Sequence, residues 1–537
     1  MIKRERAQVA VVGGGATGVG VLRDLAMRGV DVVLVEQFDL GHGTSSRFHG
    51  LLHSGARYAV KDMDAAVECI RENEILKQIA PACVEDTGGL FVHLDGEDPD
   101  YVGRWVSACR AAGIDVQEVD VQDLRARYPG LSPRVRRAFR VPDGAVDGFR
   151  LLRANVRSAR RHGARVFTYH RVTGVHIADG RVTGVELTNT LTGEKSHLEC
   201  QVLVNAAGPW AGKVAELAGL KVSVLHDKGT LAVFNHRFVN QVINRLRPPG
   251  DGDIFVPHNT VTILGTTSQE VAGPAFARPA AEEVQQLLAT GEEVFPGLRR
   301  YRLIRAFAGV RPLYRSGTAQ AGREVSRNFV LLDHREDGLN GMVSIVGGKL
   351  TTYRLMAEKT ADLVCSLLCI NSPCRTAQEP LTEPIPPADL NRGRRLFGFP
   401  AAVKAAERWG SEFKDILQKA GADPSKAELI CECELVSRAE IEHAAGCADT
   451  FTLCDIRRKT RMGMGTCQGA FCAFRTLGVA AEHNTCVLEN NLHYLREFLQ
   501  SRWEGIRPVL WGQQLRETQL AQAIYGTIFN LERMCRS

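Results

Sequence analysis

The sequence lacks any uninterrupted apolar run of about 18 or more residues, which a membrane-spanning helix requires. Its amino-terminal apolar segment is short and runs into glycines, so it does not match the long apolar region and cleavage site of a secretory signal peptide. We therefore expect a cytoplasmic protein, and we expect any attachment to a membrane to be peripheral.

The sequence also lacks a large excess of charge of either sign. The 67 Lys and Arg residues are interspersed with 61 Asp and Glu residues, and the formal net charge is only +6. Proteins that bind nucleic acids usually carry a clustered basic stripe, so this distribution argues against a nucleic-acid partner. It remains compatible with a small anionic substrate.

Cysteine is scarce in the first part of the chain, where only four of the 15 cysteines precede residue 350. Dispersed cysteines in a cytosolic chain are usually small buried side chains. Close pairs in such a chain more often bind a metal than form disulfides. A metal centre is therefore expected in the carboxy-terminal part.

The amino-terminal part shows a strand, a glycine turn, a helix and a second strand. Val9–Val12 predicts the first strand, residues 13–18 the turn, and residues 31–36 the second strand. Short continuous apolar runs suit a parallel sheet that is covered on both faces. Further strands are predicted at 201–205, 261–265, 329–332 and 342–346. This alternation predicts an α/β fold.

The glycine turn fits the pattern G-x-G-x-x-G. Gly13 permits the tight turn, Gly15 lets the backbone approach a pyrophosphate, and Gly18 lets helix and strand pack closely. Glu36 lies 23 residues after Gly13, where it can accept a hydrogen bond from a ribose 2′-hydroxyl. The position between a strand and a helix favours dinucleotide binding over a purely structural glycine turn.

Four further segments resemble motifs of the D-amino-acid-oxidase-like flavoprotein superfamily. They are SSR at 45–47, HSGARY at 53–58, VNAAGPW at 204–210 and GGKLTTYR at 347–354. The resemblance implies FAD as the cofactor and a Rossmann-type FAD-binding domain that is interleaved with an α+β substrate domain. Besides the glycine turn and Glu36, the residues that it places at FAD are Ser45, Ser46, Ala207, Gly208, Gly348 and Thr351.

Two more segments, GVRPL at 309–313 and VSR at 325–327, make the chain similar to FAD-dependent glycerol-3-phosphate dehydrogenases within that superfamily. The close cysteine pairs at 431/433 and 467/472 narrow the resemblance to the A-subunit family of the anaerobic enzyme. The resemblance implies oxidation of sn-glycerol 3-phosphate to dihydroxyacetone phosphate at the cytoplasmic side of the inner membrane. It also implies two partners, a second catalytic subunit and a membrane-anchoring iron–sulfur subunit. Electrons would reach quinone through these partner subunits. The resemblance also allows FMN as a further cofactor of the assembled complex.

The same resemblance points to arginines that bind the substrate phosphate. A phosphate is best held by planar, bidentate donors, which arginine provides. By the match of GVRPL at 309–313 and VSR at 325–327, Arg311 and Arg327 are the expected phosphate ligands, and Arg57 is expected near the flavin. Arg311 stands out from an ordinary surface arginine because Gly309 and Pro312 on either side fix its loop.

Oxidation of a secondary alcohol also needs a base that takes the hydroxyl proton. We expect His53 to act as this base, because the ordinary pKa of histidine permits proton exchange near neutral pH. Packing of His53 beneath the flavin is the alternative, and His49 and Lys349 are alternative bases. Tyr58 and Thr352 are expected to hydrogen-bond the substrate.

Four cysteines form two close pairs near the carboxy terminus. Cys431 and Cys433 have the spacing C-x-C, and Cys467 and Cys472 have the spacing C-x₄-C, with 33 residues between the pairs. Four thiolates can close a [2Fe–2S] cluster. The pattern resembles the bacterioferritin-associated-ferredoxin-like [2Fe–2S] domain, whose simpler members have C-x₂-C as the second pair. The flanking glycines at 463, 465 and 469 allow tight turns there.

A structural zinc ion is the alternative occupant, because four cysteines also suit zinc. Zinc sites usually have two or more residues between paired cysteines, so the C-x-C spacing favours iron. Cys447 and Cys454 lie between the pairs and are expected to be packing residues. Cys365, Cys369 and Cys374 have no matching partner and are expected in the core.

These features predict four units, at 1–370 (FAD-binding with the interleaved substrate domain), 371–425 (proline-rich linker and helical segment), 426–478 (small cysteine-ligated module) and 479–537 (helical carboxy-terminal segment). The linker is indicated by five prolines within 371–392. The aromatic stretch at 494–511 is expected to be a helix that closes the carboxy-terminal core, because Leu495, Phe498, Leu499, Trp503 and Ile506 fall roughly at helical spacing. The alternative is that Trp503 or Trp511 lies at a surface that binds the membrane or partner subunits.

Two other functions fit the same sequence. One is a flavin oxidase or dehydrogenase of another 2-hydroxy acid or an amino acid, whose carboxylate would replace the phosphate at Arg311. The other is a non-catalytic electron-transfer protein, which the substrate-type arginines beside the flavin motifs disfavour. Reduction of bound flavin by glycerol 3-phosphate distinguishes all three.

Overall fold

The computed structural model of the chain describes residues 3–315, 328–483 and 491–528. Its central sheet has the strand order Arg165–Phe167, Val32–Val35, Val9–Val12, Val202–Asn205, Met342–Gly347 and Phe329–Asp333. The strands are parallel, except that Phe329–Asp333 runs antiparallel to its neighbour. The strands predicted for this sheet are present within one residue at each end, and the α/β prediction is confirmed.

A second sheet is built mainly from antiparallel strands. Its order is Gln269–Glu270, Val224–Phe234, Val261–Gly265, Ile254–His258, Val242–Arg245, Gly89–Leu94, Val135–Val141 and Gln117–Val119, and Leu303–Tyr314 also pairs with Val224–Phe234. The chain enters the central sheet at 9–35, 165–205 and 329–347, and the second sheet at 89–141 and 224–314. The two domains are therefore interleaved, as the resemblance implied.

The described residues also form three smaller sheets and the helices that cover them. The sheets have the orders Lys3–Arg6, Lys195–Glu199, Arg181–Asn189 and His170–Ala178; Leu51–Leu52, Gly144–Val146 and Val84–Glu85; and Leu429–Cys431 with Val436–Ser437. The α-helices are Ala16–Met27, Met63–Ile79, Pro99–Ala111, Val121–Arg127, Gly148–Arg161, Ala211–Glu216, Ala281–Val294, Tyr353–Leu367, Pro387–Phe397, Phe399–Trp409, Phe413–Ala422, Arg438–Ala445, Leu453–Thr460, Cys472–His483, Asn491–Ile506 and Gly512–Ile528.

The first helix explains how the glycine turn is held in place. Helix Ala16–Met27 packs against Gly148–Arg161 and Tyr353–Leu367, and nearly all of its residues are buried. Its side chains share one hydrophobic core with the strands of the central sheet. Burial of this core fixes the junction between Val9–Val12 and the helix, where the turn lies.

The proline-rich segment after residue 370 is extended, but it is packed against the rest of the chain. Leu381 is fully buried, and its N–H donates to the Ile79 carbonyl at 2.8 Å. The buried Arg23 side chain donates to the Glu379 carbonyl at 2.7 Å. Because a buried arginine must be satisfied by such acceptors, these contacts tie the segment to the central domain.

The cysteine module shares its core with the helices that precede it. Trp409, Phe413 and Ile416 are buried in the same core as Cys431 and Cys472. Two of the helices within 371–425, Phe399–Trp409 and Phe413–Ala422, thus pack directly onto the module.

Buried polar contacts join the module to the amino-terminal part. Arg461 donates hydrogen bonds to Asp147 and to Glu434, each at 3.0 Å, and all three side chains are at most 6% exposed. Tyr169 donates from its hydroxyl to Asp455 at 2.6 Å. The module is therefore held in one orientation against the rest of the chain.

The carboxy-terminal helix differs in part from the expectation. Helix Asn491–Ile506 buries Tyr494, Phe498 and Ile506, so it does close the carboxy-terminal core. Trp503, however, lies on its outer face and is 44% exposed, and Trp511 is 37% exposed. Within the described ranges, no helix combines the length and the apolarity that crossing a bilayer requires.

Candidate active site

The glycine turn allows two segments to approach each other very closely. Gly13 has φ +114°, and a Cβ there would lie 2.5 Å from the Ala206 carbonyl oxygen. A Cβ at Gly18 would lie 1.9 Å from the Gly13 carbonyl oxygen. No other residue fits either position without moving the backbone. The turn therefore has the shape that a dinucleotide pyrophosphate needs at the start of a helix.

Ser45 lies at the same helix start. Its hydroxyl accepts a hydrogen bond from the Ala16 N–H at 2.9 Å, and a Cβ added to Gly15 would lie 3.1 Å from the Ser45 Oγ. Ser46 is turned the other way, because its hydroxyl donates to the Gly41 carbonyl. Ser45 is thus the residue of this pair that borders the glycine turn.

Glu36 follows strand Val32–Val35, where the sequence predicted an acid. Its carboxylate accepts hydrogen bonds from the Gly14 N–H at 2.6 Å and from the Phe38 N–H at 2.9 Å. Burial raises the pKa of Glu36, and these backbone hydrogen bonds oppose the shift. A carboxylate has about four lone-pair sites, so Glu36 can still accept from a ribose hydroxyl.

The segment VNAAGPW brings the end of a central strand against the substrate domain. Ala207 donates its N–H to the Asn205 side chain at 3.4 Å, which shapes the turn after Val202–Asn205. Gly208 has φ +54°, and its Cβ position lies 4.0 Å from Pro312. The small residues predicted at the cofactor therefore border the strand that carries Arg311.

A hydrogen bond joins the HSGARY and GGKLTTYR segments. The His53 N–H donates to the Thr351 hydroxyl at 3.1 Å. Gly348 has φ +78°, and a Cβ there would lie 2.4 Å from the Met356 sulfur, so the backbone passes close to the following helix. Two of the predicted flavin-binding segments are thus adjacent.

Lys349 forms a buried group with the aromatic rings of HSGARY. Its Nζ lies 5.0 Å from the centroid of the Tyr58 ring, and that ring lies 5.3 Å from the His53 ring. The Lys349 Nζ is buried without a hydrogen-bond partner among the described residues. Burial raises the pKa of the nearby Glu68, and Lys349 opposes that shift. A buried ammonium in this state calls for an anionic or polar ligand.

Arg57 is held by a buried aspartate. Its Nη2 donates to Asp253 at 2.9 Å and to the Gly250 carbonyl at 3.2 Å, whereas its Nη1 is buried without a hydrogen-bond partner among the described residues. Although burial alone raises the pKa of Asp253, Arg57 and Arg247 hold it below its ordinary value. Asp253 therefore stays charged and orients Arg57.

Arg311 lies inside strand Leu303–Tyr314, so the expectation of a loop fixed by Gly309 and Pro312 is wrong. A second buried aspartate holds Arg311 instead. Its Nη1 donates to Asp227 at 2.6 Å, and its Nη2 donates to the Thr266 hydroxyl and to the Thr267 carbonyl. Asp227 is fully buried and also accepts from Ser268 at 2.7 Å. These contacts fix the plane of the guanidinium of Arg311.

The residues that hold Arg57 and Arg311 lie on neighbouring segments. Asp253, which holds Arg57, follows Gly252, and the Gly252 N–H donates to the Thr266 carbonyl at 3.4 Å. Thr266 in turn accepts a hydrogen bond from Arg311. Arg327, the other expected phosphate ligand, lies outside the described residues.

The four paired cysteines lie together, and none of them forms a disulfide. The Sγ atoms of Cys433 and Cys467 are 3.8 Å apart. Hydrogen bonds with Cys431 and Cys467 raise the pKa of the Cys472 thiol, so the second pair adjoins the first. Two sulfurs that share one tetrahedral ion at about 2.3 Å are also about 3.8 Å apart.

The glycines around this site are required by its geometry. A Cβ at Gly465 would lie 2.3 Å from the Cys433 Cβ, and Gly463 and Gly469 have φ +74° and φ +85°. Among the described residues, no set of three or more His, Cys, Asp or Glu side chains is arranged around a single metal ion. The four thiols that the sequence predicted as ligands are nevertheless brought together.

The remaining cysteines divide into buried and exposed ones. Cys447 donates to the His443 carbonyl at 3.3 Å, which fits the predicted packing role. Cys365 is buried as expected, but the prediction is wrong for Cys369, which is exposed, and Cys374 is only half-buried. The turn after helix Tyr353–Leu367 brings these two residues to the surface.

Comparison with known proteins agrees with these segments. Residues 8–354 match the family described as FAD dependent oxidoreductase. The chain is 43% identical to the A-subunit of anaerobic glycerol-3-phosphate dehydrogenase of Escherichia coli K12, over 98% of both chains. It is also 43% identical to the A1-subunit of the Haloferax volcanii enzyme, over 98% of this chain and 91% of that relative. The crystal structure of glycerol-3-phosphate dehydrogenase from Bacillus halodurans complexed with FAD has the same fold, with a TM-score of 0.72 at 23% identity over 94% of this chain and 96% of that one.

The chain belongs to the A-subunit family of anaerobic glycerol-3-phosphate dehydrogenases. The resemblance predicted from its motifs is thereby confirmed, and so is its membership of the FAD-dependent oxidoreductases. Because the match spans 98% of the chain, it includes the cysteine module as well as the dinucleotide site.

Three acidic residues of this dehydrogenase site were missed in the sequence. Asp227 and Asp253 orient the two arginines, and Glu68 lies near Lys349. One signal was available for Asp227, which lies beside Lys228 in the polar middle of strand Val224–Phe234, whose two ends are apolar. A charged residue inside a buried strand usually has a buried partner of opposite charge. Asp253 and Glu68 show no comparable pattern.

The acid at the ribose position gives a first test. In Glu36→Arg, a cation replaces the ribose acceptor and the hydrogen bonds to the Gly14 and Phe38 N–H groups are lost, so FAD should bind at least about tenfold more weakly. Flavin absorbance per protein after desalting measures this. Glu36→Gln, which keeps an acceptor oxygen, should retain most of the flavin. A full flavin complement in Glu36→Arg would show that the ribose is bound elsewhere.

Proposed function

We propose that this chain oxidises sn-glycerol 3-phosphate to dihydroxyacetone phosphate with FAD. The observation that carries the proposal is the pair of buried cations, Lys349 Nζ and Arg57 Nη1, which have no hydrogen-bond partner among the described residues beside the flavin-binding segments. Asp253 already balances the charge of Arg57, so its Nη1 needs only a hydrogen-bond acceptor, whereas the Lys349 ammonium calls for an anion. The name of the relatives that match over nearly the whole chain, glycerol-3-phosphate dehydrogenase, supports glycerol 3-phosphate as that anion.

The residues present fit FAD. The N–H groups at the start of helix Ala16–Met27 would bind the pyrophosphate, and Glu36 would accept from the ribose. A Cβ at Gly13 would clash with the Ala206 carbonyl, so glycine is what permits the tight turn before this helix start. When bound, FAD supplies the hydride acceptor.

The protein would bind the substrate through its phosphate and would accept the proton of its hydroxyl group. Arg311, whose plane is fixed by Asp227 and Thr266, would bind the phosphate together with Arg327. Arg57 and Lys349 would complete the positive charge around the substrate. His53 would accept the hydroxyl proton at its imidazole ring, and a reactive carbon held still in this way reacts faster.

Electrons would leave through the cysteine module. Cys431, Cys433, Cys467 and Cys472 would bind a [2Fe–2S] cluster, which accepts electrons one at a time. The buried contacts of Arg461 with Asp147 hold this module against the flavin-binding part, as efficient transfer requires. A second catalytic subunit, with FMN in the assembly, and a membrane-anchoring iron–sulfur subunit would pass the electrons to quinone at the cytoplasmic face of the inner membrane.

Anaerobic reduction of the bound flavin tests the proposed reaction. Glycerol 3-phosphate should bleach the flavin absorbance of the purified chain, whereas glycerol, lactate and amino acids at equal concentration should not. Bleaching by a 2-hydroxy acid or an amino acid alone would favour the other oxidase functions. Flavin that only dithionite reduces would make the chain a non-catalytic electron carrier.

The exposed tryptophans predict where a partner subunit binds. Trp503 and Trp511 are exposed on, and shortly after, the helix Asn491–Ile506 that packs onto the cysteine module, and such residues often dominate binding at protein interfaces. Trp503→Ala should weaken association with the partner subunits about tenfold or more and leave flavin reduction unchanged. Sedimentation with membranes that contain the partners measures this. Phe399→Ala, which removes an exposed aromatic residue from another helix, should sediment like the unchanged protein. Equal sedimentation of Trp503→Ala would reject the interface.

A further inference from the structure

Three arginines beside the cysteine site carry positive charge without a matching carboxylate. They are Arg305 on strand Leu303–Tyr314, Arg457 on helix Leu453–Thr460 and Arg502 on helix Asn491–Ile506. All three are partly buried, and among the described residues none of them forms an ion pair. The three therefore bring an excess of positive charge to one place.

Their hydrogen bonds converge on the loop that carries Cys467. Arg305 Nη1 donates to the Gln468 side-chain oxygen at 3.1 Å, and Arg502 Nε donates to the Gln468 carbonyl at 3.1 Å. Gln468 directly follows Cys467 in the chain. Two of the arginines are thus attached to a residue that adjoins a cysteine of the site.

Two further donor atoms of these arginines lack an acceptor among the residues that the structure describes. Arg305 Nε and Arg457 Nε are buried and have no hydrogen-bond partner within the described part of the chain. The guanidinium of Arg457 lies over the Phe498 ring, at 5.7 Å from its centroid, and that contact cannot neutralise it. Burial lowers the pKa of Arg305 to about 9, and the neighbouring Arg457 and Arg47 contribute to this shift. Buried charge of this kind is costly unless an opposite charge compensates it.

Other arginines of the same region do not show this excess. Arg461 contacts the carboxylates of Asp147 and Glu434, and Arg458 contacts those of Asp39 and Asp455. Every one of these partners is buried. The lack of a carboxylate is therefore not a general property of the buried arginines at this interface.

We propose that Arg305, Arg457 and Arg502 supply the counter-charge of an anionic iron–sulfur cluster at the four cysteines and raise its reduction potential. The inference rests on the proposed cluster. An oxidised [2Fe–2S] cluster with four thiolates is a dianion, and the entry of one electron makes it a trianion without forming or breaking a bond. Nearby positive charge stabilises the trianion more than the dianion, so it favours transfer of each electron from the reduced flavin to the cluster.

The proposal is tested by the reduction potential of the cluster in the purified full chain, measured by titration with the electron paramagnetic resonance signal as the readout. Arg502→Gln and Arg305→Gln should each lower the equilibrium constant for reduction about tenfold, which equals about 59 mV for a one-electron couple. Arg305→Lys keeps the charge and should restore most of the potential, even if the hydrogen bond to Gln468 changes.

Arg475→Gln is the matched control. Arg475 contacts Glu432, which lies between Cys431 and Cys433, but both side chains are exposed and already paired. Its removal should leave the potential nearly unchanged because solvent screens the pair. Equal potentials in the unchanged protein, Arg502→Gln and Arg305→Gln, with iron present in all three, would overturn the inference and leave the proposed cluster intact. Purified protein that contains zinc and no iron would overturn both.

Discussion

Cys467→Ser is expected to abolish the proposed iron–sulfur cluster and, with it, the proposed electron transfer to quinone, while reduction of FAD by glycerol 3-phosphate continues at nearly the original rate. The Cys467 Sγ lies 3.8 Å from that of Cys433 and adjoins Cys472, so its loss removes one ligand from a set of four. A serine hydroxyl is a far poorer ligand for iron than a thiolate. Cys433→Ser should have the same effect.

Iron content, visible absorbance and quinone-dependent turnover measure this prediction together. The matched control is Cys447→Ser, because Cys447 lies between the two pairs in sequence and its thiol only donates to the His443 carbonyl. That variant should keep both iron and turnover. Full quinone-dependent turnover in Cys467→Ser would show that electrons leave the flavin by another route.

Arg311→Ala is expected to lower kcat/KM for glycerol 3-phosphate by about a hundredfold. Two charge-assisted hydrogen bonds to the phosphate contribute about 1.5 kcal/mol each, and the loss of both gives a change of this size. The variant also leaves Asp227 as a buried, unpaired carboxylate, so folding must be checked by its flavin content. Arg311→Lys should recover only part of the activity, because lysine cannot reproduce the planar fork.

Two further variants separate phosphate binding from a general loss of charge. Arg315→Ala removes an exposed arginine that pairs with Glu270 shortly after the same strand, and it should leave kcat/KM unchanged. Asp227→Asn keeps Arg311 but releases its guanidinium, so KM should rise by less than in Arg311→Ala. Unchanged steady-state kinetics of Arg311→Ala would place the phosphate elsewhere.

Local patterns in the sequence predicted the dinucleotide turn well. Gly13, Gly18 and Glu36 stand within one short stretch, and the strand before them and the helix after them follow from simple apolar periodicity. The glycines are required by close backbone contacts, which restrict the choice of residue at a single position. Such restrictions are visible in a sequence because each depends on one residue type at a fixed spacing.

The prediction for Trp503 shows where this kind of inference ends. Helical spacing placed it on the same face as Phe498, but Phe498 is buried and Trp503 is exposed. Apolar periodicity predicts that a helix has an apolar face. It does not predict how much of that face the neighbouring helices and strands cover. The same limit applies to Cys369, which lies at the surface although its residue type is usually buried.

By itself, the sequence determined the α/β class, the dinucleotide turn, the family and the two cysteine pairs, because each of these depends on residues that are close together or on motifs of fixed order. Only the tertiary structure decided which charges are paired. The pairs Asp227 with Arg311 and Asp253 with Arg57 join residues that are far apart in the chain, and so do the hydrogen bonds of Arg305 and Arg502 with Gln468. Pairing across such separations depends on packing of whole elements, and the cost of burying a charge then determines which partners must be present.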